Sequence, residues 1–162
     1  MKTQDEKAPK NSWLQNFPIM FYTVVMGLGG LALAYERLNL IFGISGWIFE
    51  ILRWMASLAY TVISALYAAK IIRYPQAFKA EFSHPVRVNF FATFSVSTLL
   101  IAALWKDFTP VYDVLFYVGI VFQGIISLYV VSFWIKNNIL ISHSNPAWFI
   151  PIVGNLLVPL AA

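Results

Sequence analysis

Among the charged residues, Arg87 has the position best suited to attract an anion. It lies two residues after Ser83-His84-Pro85, at the predicted start of an apolar helix. The N-terminus of a helix carries partial positive charge, so an arginine there would draw anions to that end. The alternative is an arginine that extends to the lipid headgroups. His84 is interpreted as a helix cap rather than as an anion ligand.

A second group of residues could line a narrow path, because proline and glycine break helices and leave polar backbone facing a cavity. With Arg87 at the mouth and aromatic rings that narrow the path, the candidates are Gly27, Gly30, Arg87, Asn89, Phe91, Ser95, Phe149, Pro151 and Asn155. Small and hydroxylated residues also allow helices to pack closely. Aromatic residues are common in packed or lipid-facing positions as well. Both interpretations stay open at this point.

Enzymatic and metal chemistry have little support in the sequence. There is no cysteine, and the histidines are His84 and His143, so we expect no metal site and no cofactor. No nucleophile–base pair or phosphate-binding loop is present, and MGLGGL does not follow a strand as a dinucleotide motif would. We therefore expect a protein that is not an enzyme.

The amino-acid composition indicates whether the protein lies in water or in a membrane. Charged residues make up 11% of the 162 residues, against about 25% in soluble proteins. The apolar share is 60%, against about 45–50%. So few charges cannot cover a soluble surface, and the sequence predicts an all-α integral membrane protein. The net charge of +4 is more typical of an orientation signal than of nucleic-acid binding.

Hydropathy divides the chain into a polar tail and a transmembrane domain. Residues 1–16 are polar, of mixed charge, and lack the layout of a signal peptide. The domain covers 17–162, with about five spans predicted at 17–35, 47–72, 85–105, 111–135 and 146–162. The first of these is roughly 28 Å long as a helix, about the thickness of the hydrocarbon core.

The distribution of lysine and arginine predicts a cytoplasmic N-terminus. Basic residues concentrate on the side of the tail and of the loop after the second span, including Lys70, Arg73 and Lys79. Arg37 and Lys106 fall on the other side. Glu50 and Arg53 are three residues apart, so we expect them to pair on one face of the second span.

Prolines mark a repeat of helical hairpins. The predicted starts of spans one, three and five are Asn16-Phe17-Pro18, Ser83-His84-Pro85 and Ser144-Asn145-Pro146. Proline is normal in the first helical turn, where its missing N–H was unpaired anyway. Three such starts in alternate spans indicate a repeated unit in which odd and even helices differ.

Three segments carry a family resemblance: FPIMFYTVVMGLGGLALA, HPVRVNFFATFSVSTLL and NPAWFIPIVGN. They resemble the tellurite-resistance/dicarboxylate transporter family, which includes TehA proteins and is related to plant slow anion channels. The resemblance implies ten helices in five hairpins with quasi-fivefold symmetry, odd helices around a pore, and a homotrimer at full length. The family is about twice as long, so this chain resembles its N-terminal half. The pore phenylalanine of the family lies in its ninth helix and has no counterpart here.

The resemblance implies an anion channel or facilitative transporter for small inorganic anions or C4-dicarboxylates, embedded in lipid in the cytoplasmic membrane. The absence of Asp, Glu, Lys and His inside the odd spans agrees with passive movement. The alternatives are a proton-coupled carrier of dicarboxylates or oxyanions linked to tellurite resistance, and a non-conducting half-length subunit. We expect the chain alone to form no conducting pore, because it offers fewer than five inner helices.

Overall fold

A computed structural model describes residues 13–136 and 146–162. All regular elements in these ranges are helical. The α-helices are α1 (Tyr22–Phe42), α2 (Trp47–Arg73), α3 (Pro75–Phe82), α4 (Ala92–Leu104), α5 (Thr109–Lys136) and α6 (Phe149–Ala161). Three 3₁₀ segments cover Ile19–Phe21, Arg87–Phe91 and Pro146–Trp148. The predicted all-α class is confirmed. The predictions for residues 1–12 of the tail and for His143 lie outside the described residues.

Four helical stretches are long and apolar enough to cross a membrane: Ile19–Phe42, Trp47–Arg73, Arg87–Leu104 and Thr109–Lys136. Helix α6 is apolar and shorter, at 13 residues. Helix α1 continues beyond Tyr35, where the sequence analysis ended the first span. It ends at Gly43, which adopts the left-handed conformation (φ 64°) and donates its N–H to the Asn39 carbonyl at 2.9 Å. Glycine is the usual residue at this position because it has no Cβ to clash.

We call α1, α4 and α6, which follow Pro18, Pro85 and Pro146, the proline-started helices. They differ from α2 and α5 in how they begin. Helices α1, α4 and α6 are each preceded directly by a 3₁₀ segment, whereas α2 and α5 begin as α-helix. In the first of these segments the Phe21 N–H donates to the Pro18 carbonyl at 3.3 Å. Such tight turns are frequent at helix N-termini. The structure thus supports the predicted difference between odd and even spans.

Helix α3 was missed by the sequence analysis, which treated this segment as a basic loop. Tyr74 precedes a proline and has φ −136° and ψ 61°, which ends α2. Pro75 then starts α3 in the position that proline favours. Phe78 and Phe82 lie on one face of α3, with ring centroids 5.8 Å apart. This face turns toward Phe91.

Helix α4 lies at the centre of the bundle. Every residue of α4 except Phe94 is buried. Helices α1, α2, α5 and α6 all pack against it, which places the three proline-started helices side by side with α4 in the middle. Leu33 of α1 and Leu157 of α6 pack against the cluster formed by Leu99, Ala103 and Ala161.

Candidate functional site

One face of α1 carries small residues and is open. Thr23, Gly27, Gly30 and Ala34 follow each other at spacings of four, three and four, so they share one side of the helix. All four are exposed. A Cβ placed on Gly27 or Gly30 would meet no atom within 4 Å. We call these four residues the open face of α1.

Arg87 is exposed and is the first residue of the 3₁₀ segment that leads into α4. Within the described ranges its guanidinium has no ion-pair partner. His84 lies beside it, and its Nδ1 accepts the backbone N–H groups of Val86 at 3.2 Å and Arg87 at 3.4 Å. The interpretation of His84 as a cap is therefore confirmed.

Asn89, Phe91 and Ser95 are buried, and their partners are protein groups. The Asn89 side-chain amide donates to the Pro85 carbonyl at 3.3 Å, and its oxygen accepts the indole N–H of Trp134 at 3.2 Å. The Phe91 ring lies among other rings, with the centroid of Phe82 4.7 Å away. These three residues pack against α3 and α5, and their assignment to an anion path stays a prediction.

Gln123 of α5 organises the polar groups between α4, α5 and α6. Its Oε1 accepts the Ser95 hydroxyl at 2.6 Å. Its Nε2 donates to the Pro151 carbonyl at 2.9 Å and lies 3.2 Å from Asn155 Oδ1 and 3.0 Å from the Ser127 hydroxyl. We call this set, Ser95, Gln123, Ser127, Pro151 and Asn155, the amide cluster.

The amide cluster depends on a close approach between helices α5 and α6. A Cβ on Gly154 would overlap the side-chain amide of Gln123. The cluster brings together three of the predicted residues, Ser95, Pro151 and Asn155. Phe149 lies at the start of α6, two-thirds exposed, and the structure leaves it apart from the cluster.

Lys70 and Glu81 form an ion pair that the sequence analysis did not foresee. Lys70 was counted among the loop cations, but its side chain is 3% exposed and that of Glu81 is 2% exposed. Lys70 Nζ lies 2.6 Å from Glu81 Oε2 and donates to the Phe17 carbonyl at 2.7 Å. Glu81 also accepts the Ile19 N–H at 3.1 Å and the Tyr67 hydroxyl at 3.2 Å. The pair thus joins α2, α3 and the chain entering α1.

The opposite end of the bundle carries more exposed ion pairs. Arg53 Nη2 lies 2.6 Å from Glu50 Oε2, as the spacing predicted, with half of the Glu50 side chain exposed. The Arg53 guanidinium also stacks over the Trp105 ring, 4.5 Å from its centroid. Lys106, in the turn between α4 and α5, pairs with Glu36 of α1 at 2.9 Å. In the described ranges no group of three or more His, Asp and Glu side chains could hold a metal.

The amino-acid sequence of the chain can be compared with those of known proteins. The family model of the voltage-dependent anion channels (SLAC1) matches residues 16–162, which include every described transmembrane helix. The chain belongs to this family. It is a multi-pass membrane protein, and the resemblance found in the sequence is confirmed.

Three relatives illustrate the range of this family. An uncharacterized transporter of Methanocaldococcus jannaschii is 30% identical over 93% of the chain, and a tellurite resistance protein TehA homolog of Haemophilus influenzae is 26% identical over 85%. The S-type anion channel SLAH2 of Arabidopsis thaliana is 30% identical over 56% of the chain. The matches cover 45%, 42% and 18% of these relatives, so the chain spans less than half of their length.

Two described regions of this anion channel family member could act on an ion in different ways. The open face of α1 offers small uncharged side chains and, at Gly27 and Gly30, backbone without a side chain above it. The amide cluster offers polar atoms, but its buried side chains, Ser95 and Gln123, are hydrogen-bonded to neighbouring helices. Two residues of the open face, Gly27 and Gly30, were among the predicted site residues. Gln123 was missed, although a lone amide inside an apolar helix usually bonds across to another helix.

Proposed function

We propose that the chain supplies part of a passive path for small inorganic anions or C4-dicarboxylates across the cytoplasmic membrane, as a channel or facilitative transporter. The observation that carries the proposal is the family match over residues 16–162. The relatives named as an S-type anion channel and as a TehA homolog agree with this class of substrate. Transport, and no enzymatic reaction, is the activity proposed.

The open face of α1 is the proposed wall of the path. The segment Tyr22–Tyr35 contains no charged side chain, and the same holds for Ala92–Leu104 and Phe149–Ala161. Proton-coupled carriers usually need ionisable groups in such positions. Uncharged walls favour passive movement, and the exposed Arg87 at one end of α4 would concentrate anions there.

Further helices are needed to enclose this path. The relatives are more than twice as long as the chain, and the proline-started helices described here are α1, α4 and α6. We propose that helices of the same or a second chain complete the ring, and that the complete protein is a homotrimer. The 162-residue chain alone is then expected to conduct no ions.

A chimera tests the proposed path. The chain replaces the matched segment of the Haemophilus influenzae TehA homolog, and currents are recorded in planar bilayers beside the unmodified relative and the chain alone. We expect anion-selective currents from the chimera. Reproducible anion-selective currents from the chain alone would show that it needs no further helices.

Matched variants of the chimera locate the path. Gly30→Phe, on the open face, should lower the current about tenfold, whereas Leu31→Phe, one residue further and also exposed, should change it less than about twofold. Equal currents from the two variants would remove the open face from the path. Unaltered current amplitude and selectivity in Arg87→Gln would remove Arg87 from the mouth.

We also propose that the N-terminus is cytoplasmic. With Arg73 and Lys79 on the cytoplasmic side, Ser45→Cys should react with an impermeant thiol reagent from outside intact cells, and Gln76→Cys should not. Both positions are exposed, and the chain has no other cysteine. The reversed labelling pattern would overturn this orientation.

The buried Lys70–Glu81 pair favours a second candidate, a proton-coupled carrier, because ionisable groups inside membrane proteins often move protons. Flux into liposomes separates the two candidates. Uptake driven by the anion gradient alone, and insensitive to a pH gradient, is expected for the passive path. Uptake that follows the pH gradient and loses this dependence in Lys70→Met/Glu81→Leu would favour the carrier.

A further inference from the structure

A groove of about 530 Å³ lies between α2 and α5. Tyr60 and Ile71 of α2 form one wall, and Phe122 and Ile125 of α5 form the other. Phe94 of α4 lies at its floor. Eight of its fourteen lining residues are aromatic, so its surface consists largely of ring faces and aliphatic side chains.

Helix α3 closes one end of the groove, and one side stays open. Phe82 of α3 stacks on Tyr129 of α5 with centroids 4.4 Å apart, which joins α3 to the α5 wall at that end. Along the open side lie Ile71 and Ile125, which are 39% and 61% exposed. Because α2 and α5 are both membrane-length helices, this side opens toward the hydrocarbon of the bilayer.

The polar groups that line the groove are already paired. The Tyr22 hydroxyl donates to Ser64 at 3.0 Å, and the Tyr67 hydroxyl donates to Glu81 at 3.2 Å. The Tyr60 hydroxyl lies 2.9 Å from the Thr98 hydroxyl. A ligand in this groove therefore finds dispersion contacts rather than free hydrogen-bond partners, which selects for a hydrocarbon.

The shape of the groove suits a single chain. From Tyr60 to Ile71, α2 rises on the order of 16 Å, which gives a slot about half as long as the hydrocarbon core is thick. If this slot were empty, the rings that line it would lose the dispersion contacts that an occupant makes with them. Lipid acyl chains are the hydrocarbon adjacent to its open side.

Positive charge lies near the closed end. Arg73 follows the lining residue Ile71 by two positions, and Lys79 is next to the lining residue Phe78. Both are exposed, and within residues 13–136 and 146–162 neither side chain has a hydrogen-bond or ion-pair partner. Basic side chains at the membrane surface attract anionic lipid headgroups.

We propose that this groove binds one acyl chain of an anionic phospholipid, whose phosphate contacts Arg73 and Lys79. This site does not depend on which substrate is transported. It lies between α2 and α5, over Phe94 of α4.

Photo-crosslinking tests the acyl-chain site. The purified chain is placed in phosphatidylcholine nanodiscs that contain a phosphatidylglycerol analogue with a diazirine near the end of one acyl chain. After irradiation, mass spectrometry locates the label. We expect label at Phe94, on the floor of the groove. Label confined to outward residues such as Leu58 and Leu128, with none at Phe94, would overturn the proposal.

Two adjacent alanines of α2 provide a matched pair. Ala68 lines the groove, whereas Ala69 is exposed and does not. Ala68→Trp should lower the labelling of Phe94 about tenfold, because the indole blocks the acyl chain between the headgroup and Phe94, while Ala69→Trp should leave it unchanged. Equal labelling in the two variants would contradict the site. So would efficient cross-linking of two copies through Ala68→Cys, since it would show that protein covers the groove.

The headgroup contact has its own test. In wild type, unlabelled phosphatidylglycerol should displace the probe more effectively than phosphatidylcholine. Arg73→Gln and Lys79→Gln should each reduce this preference about fivefold and keep the label at Phe94. These exposed substitutions leave the packing of the groove intact. An unchanged preference in the double variant would remove the anionic headgroup from the proposal.

Discussion

Small and polar residues have opposite surroundings in two regions of the molecule, the interior around α4 and the open face of α1. In the interior, Ser95 and Gln123 are buried, and each is hydrogen-bonded to another helix. On the open face, Gly27 and Gly30 have no neighbour within contact distance of a Cβ. The two regions look alike in the sequence, since both interrupt apolar spans with small or polar residues.

This difference in surroundings predicts which substitutions change stability and which change transport. Groups that are paired in the interior stabilise the bundle, because an unpaired polar group there would cost its full desolvation energy. Residues on the open face contribute little to packing, so selection can act on the space they leave. Substitutions in the interior should therefore change the free energy of unfolding, and substitutions on the open face should change it little.

The largest effect is expected at the buried ion pair. Lys70→Met leaves the Glu81 carboxylate buried without its cation and should cost about 3–5 kcal/mol of unfolding free energy. Lys79→Met, at an exposed lysine of the neighbouring helix, should stay within about 0.5 kcal/mol. Denaturant unfolding in detergent micelles measures both.

The double variant sharpens this result. Lys70→Met/Glu81→Leu removes both charges and should recover most of the loss, since apolar residues can replace a buried ion pair. A single Lys70→Met variant as stable as Lys79→Met would show that the pair does not hold α2, α3 and the start of α1 together.

A glycine-to-alanine pair compares the two regions directly. Gly154→Ala pushes a Cβ into the Gln123 amide and should cost about 1–3 kcal/mol. Gly30→Ala meets no atom and should instead stabilise α1 by up to about 1 kcal/mol, through the helix propensity of alanine. The sign of the two changes, read from unfolding midpoints, is the test. Equal destabilisation would mean that another helix covers the open face.

The smallest effect is expected at the exposed ion pair of the opposite end. Glu50→Gln removes the partner of Arg53, but the Glu50 side chain is half exposed, so the loss should be about 0–1 kcal/mol. Arg53 keeps its position over the Trp105 ring. A loss as large as that of Lys70→Met would show that exposure does not distinguish the two ends.

Hydropathy was enough to predict the all-α membrane class, but it did not predict every helix. Pro18, Pro85 and Pro146 marked the helices that begin with 3₁₀ segments. Helix α3 was missed because YPQAFKAEF is too polar for a span. Pro75 followed by Phe78 and Phe82 at a spacing of four was the signal that could have found it.

The sequence alone could not predict which groups the polar residues pair with. Counting lysines by the positive-inside rule places them all in water, so Lys70 was assigned to a loop, and only the fold brings Glu81 to it. Ser95 was predicted to face a path because a polar residue in a span can face a lumen or a helix. Ser95 faces α5, where its hydroxyl donates to Gln123, 28 residues later in the chain.

The 3₁₀ start of α4 also affects how the bundle responds to membrane thickness. With that segment, α4 spans about 30 Å, which equals the hydrocarbon core, so it can stand upright. Helices α2 and α5, with 27 and 28 residues, are about 40 Å long and must tilt or extend beyond the core. A thicker bilayer would therefore straighten the two outer helices first. The slot between them would change width while the central helix stayed in place, so lipid chain length would act on this protein through its outer wall.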